Sequence, residues 1–252
     1  MHSTLFRVFG IPVFAYGTMM VVGFALGLWR AVRVGKARGM RPEPIYDIAL
    51  VALLSGVLGA RFVFVLINPE TESFRQFFAT WNGGLSFHGG VGFATLATYV
   101  YVRIARVSFW QYVDLLTPSV AIGYAFTRIG CFLNGCCYGS PTTLPWGVRF
   151  SENGVLTPPS HPTQIYATLA NLLIFFILTR LEKLPKAPGF VFVSYLGMYA
   201  IYRFGIEFLR SGYSAAPWAL GLTQAQAVSV ATVVICGVVL AVGYRGSGER
   251  SE

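Results

Sequence analysis

Residues 46–66 read YDIALVALLSGVLGARFVFVL, 21 residues that contain one acidic and one basic side chain. At about 1.5 Å of rise per residue, a helix of this length matches the ~30 Å hydrocarbon core of a bilayer. Its Leu, Ala and Val content predicts a membrane-spanning helix. It does not fit the ~10-residue alternating strands of an outer-membrane barrel. Working outward, six more apolar stretches occur: Val13–Trp29, Phe87–Val102, Tyr112–Phe126, Ile165–Thr179, Phe190–Phe204 and Ala225–Val242. Several are short on strict apolar count and extend into polar flanks. No internal repeat or low-complexity run interrupts them.

Composition gives the same class. Hydrophobic residues make up 55% of the 252 and charged residues only 12%, too few charges to coat a soluble surface. Mean hydropathy is +0.60. Disorder and a small disulfide scaffold are both excluded. The expected fold is an all-α polytopic bundle of about seven transmembrane helices, one integral domain over 1–252. External arm and head loops are expected near 68–86 and 138–163, and a cytoplasmic tail near 244–252. No small-x-small cleavage pattern follows the first span, which is expected to be retained.

The net charge of +9 has a topogenic explanation. Arg30, Arg33, Lys36, Arg38 and Arg41 follow span one. Arg103 and Arg106 follow span three, Arg180, Lys183 and Lys186 follow span five, and Arg245 and Arg250 lie in the tail. The opposite side has Arg7, Arg75, Arg149 and Arg210. The bias predicts an external N-terminus and a cytoplasmic C-terminus, and leaves no call for nucleic-acid binding.

Ionisable groups in a span cost roughly 2.5–3.5 kcal/mol on insertion scales, so each is a functional candidate. In the expected topology Arg61, His88, Arg128, His161, Gln164, Arg203, Glu207 and Arg210 share one membrane face, the outer one. Asp47 and Asp114 fall at inner ends. Arg203, Glu207 and Arg210 are spaced i, i+4, i+7 and share a helix face. There Glu207 can hold Arg203 while its planar fork keeps donors for an anion. In Gly83–Gly90, glycines flank His88 and permit a head group to approach the imidazole, with Gly89 beside it. An imidazole is a competent base near neutral pH.

Residues 128–139 read RIGCFLNGCCYG. On spacing alone, three cysteines in seven residues admit a metal, a disulfide through Cys131 in an oxidising exterior, or reduced packing thiols. C-x4-C-C is not a usual zinc spacing, and a fourth ligand would have to be His161 or His88. Packing thiols are the expectation, with no metal or cofactor. Cys236 reads as a small hydrophobe.

These motifs occur in one order: GGLSFHGG (83–90), RIGxFxNG (128–135) with Tyr138-Gly139, HPTQIY (161–166) and RFGIEFLR (203–210). Together with Tyr16-Gly17 they resemble the prolipoprotein diacylglyceryl transferase family of the bacterial inner membrane. The resemblance implies seven helices with the N-terminus outside. It also implies transfer of the diacylglyceryl group of phosphatidylglycerol to the lipobox cysteine of a prolipoprotein signal peptide, forming a thioether and releasing glycerol phosphate. By the same resemblance, Arg128 and Arg203 hold the departing phosphate, Glu207 orients Arg203, and His88 is the base. Tyr16, Asn134 and Gly139 shape the head-group site, with Arg61, Gly89, His161 and Arg210 as further binding candidates. Membrane lipids are the surroundings. The external loop beyond Ser140 carries Trp146 and Arg149, candidates to meet lipid head groups or the incoming peptide.

The usual family signature has Asn at the position of Cys131 and Glu at that of Cys136; the Cys-Cys-Tyr-Gly form is a recurring variant. A non-catalytic lipid-binding protein and a small-anion transporter are the competing readings. The latter calls for broken helices and charges at the bilayer midplane.

Overall fold

The computed structural model describes residues 4–8, 11–68, 77, 84–152, 155–210, 217–219 and 221–243. Gly83, Arg75, most of the segment 68–86 and the tail with Arg245 and Arg250 lie outside them. Seven helices account for most of the described chain. They are α1 (Ala15–Ala37), α2 (Glu43–Ile67), α3 (Phe87–Ile104), α4 (Phe109–Asn134), α5 (Thr163–Leu181), α6 (Phe190–Glu207) and α7 (Gln224–Gly243). Three two-stranded antiparallel ribbons accompany them: β1 (Thr4–Val8) with β2 (Ile11–Phe14), β3 (Ser151–Glu152) with β4 (Val155–Leu156), and β5 (Pro217–Ala219) with β6 (Leu222–Thr223). Five helices, α1, α2, α4, α5 and α7, are long and apolar enough to cross a membrane. The protein is an all-α, multi-pass membrane protein. Leu54, Leu66, Leu96, Leu173, Val234 and Ile235 are among many large apolar side chains left exposed, as a lipid-facing surface requires.

The chain divides into two compact units, 31–112 and the remainder, 1–30 with 113–252. In the smaller unit α2 packs on α3. Pro44 sits in the first turn of α2, where its missing N–H costs nothing. Ser86 caps α3 by accepting the Gly89 N–H at 3.4 Å. Gly89 is buried, and a Cβ on it would stand 2.5 Å from the Gly59 carbonyl oxygen, so the two backbones touch. Asp47 accepts the Tyr101 hydroxyl at 2.5 Å.

In the larger unit α6 packs on α5 and α7. Ala121, Ile174, Leu178 and Val191 of α4, α5 and α6 form a buried cluster. Gly23 and Gly27 of α1 lie against Gly123, Phe126 and Ser119 of α4, the small-residue packing that lets membrane helices approach closely. Asp114 accepts the Gly189 N–H at 2.6 Å and the Phe192 N–H at 2.9 Å, placing an anion at the start of α6. Arg30, counted above among the loop charges, lies inside α1. It is buried, donates to the Leu115 carbonyl at 2.7 Å and pairs with Glu182. The helix runs on to Ala37, so this charge reports packing and leaves the topogenic count.

Helix α4 also runs beyond the apolar stretch Tyr112–Phe126. Its backbone bonding continues through Arg128 and Cys131 to Asn134, because only Gly135 brings a helix stop. Arg128 and Cys131 therefore ride on rigid helix.

Candidate functional site

The α4 terminus follows from one glycine. Gly135 takes φ +77°, the left-handed conformation that ends helices. Its N–H bonds the Phe132 carbonyl at 3.1 Å, and the Cys136 N–H bonds the Cys131 carbonyl at 3.1 Å. This is the Schellman pair of bonds, which folds the chain back over the last turn. The residues that follow are stitched to other elements. Gln164 Nε2 donates to the Cys136 carbonyl at 2.6 Å and Thr163 Oγ1 to the Cys137 carbonyl at 2.8 Å. The Gly139 N–H bonds the His161 carbonyl at 2.9 Å and the Ser140 N–H the Leu209 carbonyl at 2.8 Å. A Cβ on Gly139 would lie 2.2 Å from the Leu209 carbonyl oxygen, so only glycine fits where this segment crosses the end of α6.

Arg128 is held by its own helix. Its Nε donates to the Tyr124 hydroxyl at 2.9 Å, an NH2 group bonds the same oxygen, and the guanidinium carbon stands 4.9 Å from the Tyr124 ring centroid. The Tyr124 hydroxyl lies 3.5 Å from that of Tyr199 on α6, one turn before Arg203. Arg203 pairs with Glu207, which is buried. The other Glu207 oxygen, Oε1, accepts the Thr223 hydroxyl at 3.2 Å. Thr223 in turn caps α7: the Gln226 N–H donates to its hydroxyl at 3.2 Å, and Gln226 Oε1 accepts the Thr223 N–H at 3.1 Å. Arg128, Arg203 and Arg210 all lie within electrostatic reach of Tyr202. Tyr16 on α1 lies within reach of Arg128 and of the Cys131, Cys136 and Cys137 thiols. A Cβ on Gly130 would meet the Tyr16 backbone at 3.1 Å, which sets how near Tyr16 comes.

The candidates from the sequence thus separate. Tyr16, Arg128, Arg203, Glu207 and Arg210 come together in the larger unit, and Asn134 is exposed at the end of α4. Gly139 and His161 lie in the same unit, joined by the bond from the Gly139 N–H to the His161 carbonyl. Besides its backbone bonds, the His161 ring Nδ1 lies 3.4 Å from the Tyr166 hydroxyl, which also accepts Trp146 Nε1 at 2.8 Å. In the smaller unit His88 is exposed on the first turn of α3. Arg61 is fully buried, donating to the Phe77 carbonyl at 3.3 Å and the Gly84 carbonyl at 3.1 Å. Its bonds fasten two points of the segment that joins α2 to α3. Tyr124, Tyr199 and Thr223 were not singled out from the sequence. The i, i+4 spacing of Tyr124 and Arg128 was a signal, as was Thr223-x-x-Gln226, a capping-box pattern.

Comparison with known proteins gives a consistent result. The family model for prolipoprotein diacylglyceryl transferase matches residues 3–242. A phosphatidylglycerol–prolipoprotein diacylglyceryl transferase of Clostridium tetani is 32% identical over 220 residues, covering 83% of this chain and 86% of the relative. The protein of the same name from Clostridium botulinum is 34% identical over 218 residues, covering 84% and 86%. That from Clostridioides difficile is 34% identical over 213 residues, covering 84% of each. With nearly the whole chain matched, through the helices that carry the arginine cluster, this chain belongs to the prolipoprotein diacylglyceryl transferase family.

Proposed function

We propose that the protein transfers the diacylglyceryl group of phosphatidylglycerol to the lipobox cysteine thiol of a prolipoprotein in the bacterial inner membrane. Its N-terminus and active site face outward, and its C-terminus faces the cytoplasm. The observation that carries this reading is the link from Arg128 through the Tyr124 hydroxyl to Tyr199 on α6, one turn before Arg203, with Arg203 held by a buried Glu207. Such a cluster suits a phosphodiester whose ester oxygen gains charge as the carbon–oxygen bond breaks. Sulfur attacks the glyceryl carbon, the C–O electron pair passes to the phosphate oxygen, and glycerol phosphate leaves. Guanidiniums fixed beforehand in a poorly hydrated cleft stabilise that charge without reorganising. Glu207 neutralises part of the cluster and fixes one fork for bidentate contact. Tyr16, Asn134 and Gly139 shape the head-group site. The assignment of His88 as proton acceptor for the thiol rests on the Gly83–Gly90 pattern.

Complementation tests the proposal. The gene is expressed in a bacterial strain depleted of its own transferase. Restored growth, with lipid-modified lipoprotein on gels, is the expected result. Failure to restore either, with the protein present in the membrane, overturns the reading.

A further inference from the structure

The Schellman turn that ends α4 does more than stop a helix. It returns Cys136 to the turn that carries Cys131, so the five-residue separation becomes a spatial neighbourhood. Neighbouring side chains of an extended strand point to opposite faces. The left-handed backbone at Cys137, φ +65°, breaks that alternation, and the Cys136 and Cys137 sulfurs lie 3.6 Å apart. All three sulfurs, with that of Cys131, fall within 4.8 Å of one another. All four cysteines of the chain are free thiols. Among the described residues no fourth His, Cys, Asp or Glu joins this group.

From this arrangement we infer that Cys131, Cys136 and Cys137 form a three-thiolate zinc site whose fourth position receives the thiol that is to be alkylated. Sulfurs bound to one tetrahedral zinc at about 2.3 Å stand about 3.8 Å apart. The 3.6 Å between Cys136 and Cys137 widens slightly to reach that value, and separations of up to 4.8 Å close by about 1 Å at most. Three protein ligands with one open position is the pattern of catalytic rather than structural zinc. Cys131 is buried at the base, whereas Cys137 is exposed, so the open position lies on the exposed side of the cluster. Three thiolates on one zinc carry a net negative charge. Arg128 and Arg210 lie within electrostatic reach of Cys137 and offset it.

The role rests on the lipid-transfer reading. Zinc-bound water is displaced by the incoming thiol, whose proton passes to the base that the lipid-transfer reading assigns, leaving a zinc-bound thiolate. Its sulfur attacks the glyceryl carbon while the C–O electron pair leaves on the phosphate held by the arginines. The product thioether has no negative charge, binds zinc weakly and departs as water returns. No electron transfer is involved.

The test uses the intact protein in detergent and reads metal separately from activity. Zinc analysis after gel filtration should give one ion per chain, unchanged in Cys236→Ser and lost in Cys136→Ser and Cys137→Ser. Cobalt substitution should produce sulfur-to-metal charge-transfer absorption and tetrahedral d–d bands. A peptide with a lipobox cysteine should shift the d–d bands, and the same peptide with serine should leave them unchanged. Stripping the metal should lower transfer at least roughly a hundredfold, with recovery on adding zinc. Trace metal only, a disulfide among the three cysteines of the isolated protein, or full zinc retention in both serine variants overturns the site. A bound metal whose spectrum ignores the cysteine peptide, with transfer unaffected by stripping, overturns the thiol-binding role and leaves the lipid-transfer reading standing. A cobalt spectrum that responds to the peptide, in a protein that transfers no lipid in any metal state, supports the site and overturns that reading.

Discussion

Glu207 accepts the hydroxyl of Thr223 at 3.2 Å, and the same hydroxyl accepts the Gln226 N–H that caps α7. One side chain therefore couples the start of α7 to the carboxylate that holds Arg203. Hydrogen bonds to a charged group contribute about 1.5–3 kcal/mol. Thr223→Val should lower the transfer rate roughly tenfold, a barrier change of about 1.4 kcal/mol. Thr223→Ser keeps the hydroxyl and should stay close to the parental rate. The measurement is initial rate in a gel-shift assay with a prolipoprotein peptide and phosphatidylglycerol. Equal rates for the valine and serine variants would show that Glu207 needs no such support.

The arginines should be far less forgiving. Removing one fixed donor to a developing oxyanion costs about 10²–10³ in rate, so Arg128→Ala and Arg203→Ala should each abolish complementation. Arg203→Lys keeps the charge and loses the fork, and should be clearly impaired. Glu207→Gln should be milder than Arg203→Ala, because the guanidinium remains. Arg210→Ala should be milder still, for this side chain is half-exposed and screened. Near-parental transfer by normally expressed Arg128→Ala and Arg203→Ala would refute the phosphate assignment.

Gly139 and Gly205 offer a steric contrast. A Cβ at Gly139 would stand 2.2 Å from the Leu209 carbonyl oxygen, whereas one at Gly205 meets nothing within 4 Å. Gly139→Ala should separate the 137–140 segment from α6, lowering both thermal stability in detergent and transfer. Gly205→Ala, on an exposed helix face, should be neutral or stabilising by about 0.4–1 kcal/mol. Thermal unfolding of the two purified variants decides it, and indistinguishable midpoints would contradict the close approach.

Topology is open to reporter fusions. A fusion after Ser247 should report a cytoplasmic location, and one near Asn153 an external location. The opposite pattern would turn the arginine cluster toward the cytosol and remove the lipid-transfer reading with it.

Much of this was legible in the sequence because it is local. Apolar run length does not depend on partners, and the seven helices follow the seven apolar stretches. The Arg203–Glu207 pair was equally readable, since helical periodicity alone makes i and i+4 neighbours. Local reading failed where a side chain's role depends on what lies opposite. Arg30 read as a loop charge until α4 and α5 supplied Leu115 and Glu182. For Arg61, a site candidate, the structure adds its bonds to the Phe77 and Gly84 carbonyls, which no local pattern shows.

The sequence by itself determined the membrane class, the helix count, the identity of the charged groups and the family motifs. These rest on transfer free energy and on periodicities within one segment. Only the tertiary structure decided that Thr223 reaches Glu207 from α7, that Tyr199 meets Tyr124 between α6 and α4, and that Gln164 and Thr163 of α5 pin the carbonyls of Cys136 and Cys137. The physical reason is that polar groups inside a membrane protein must find partners across helices. Which partner each finds depends on the packing of small residues such as Gly23, Gly130 and Gly139, whose contacts lie far away in sequence.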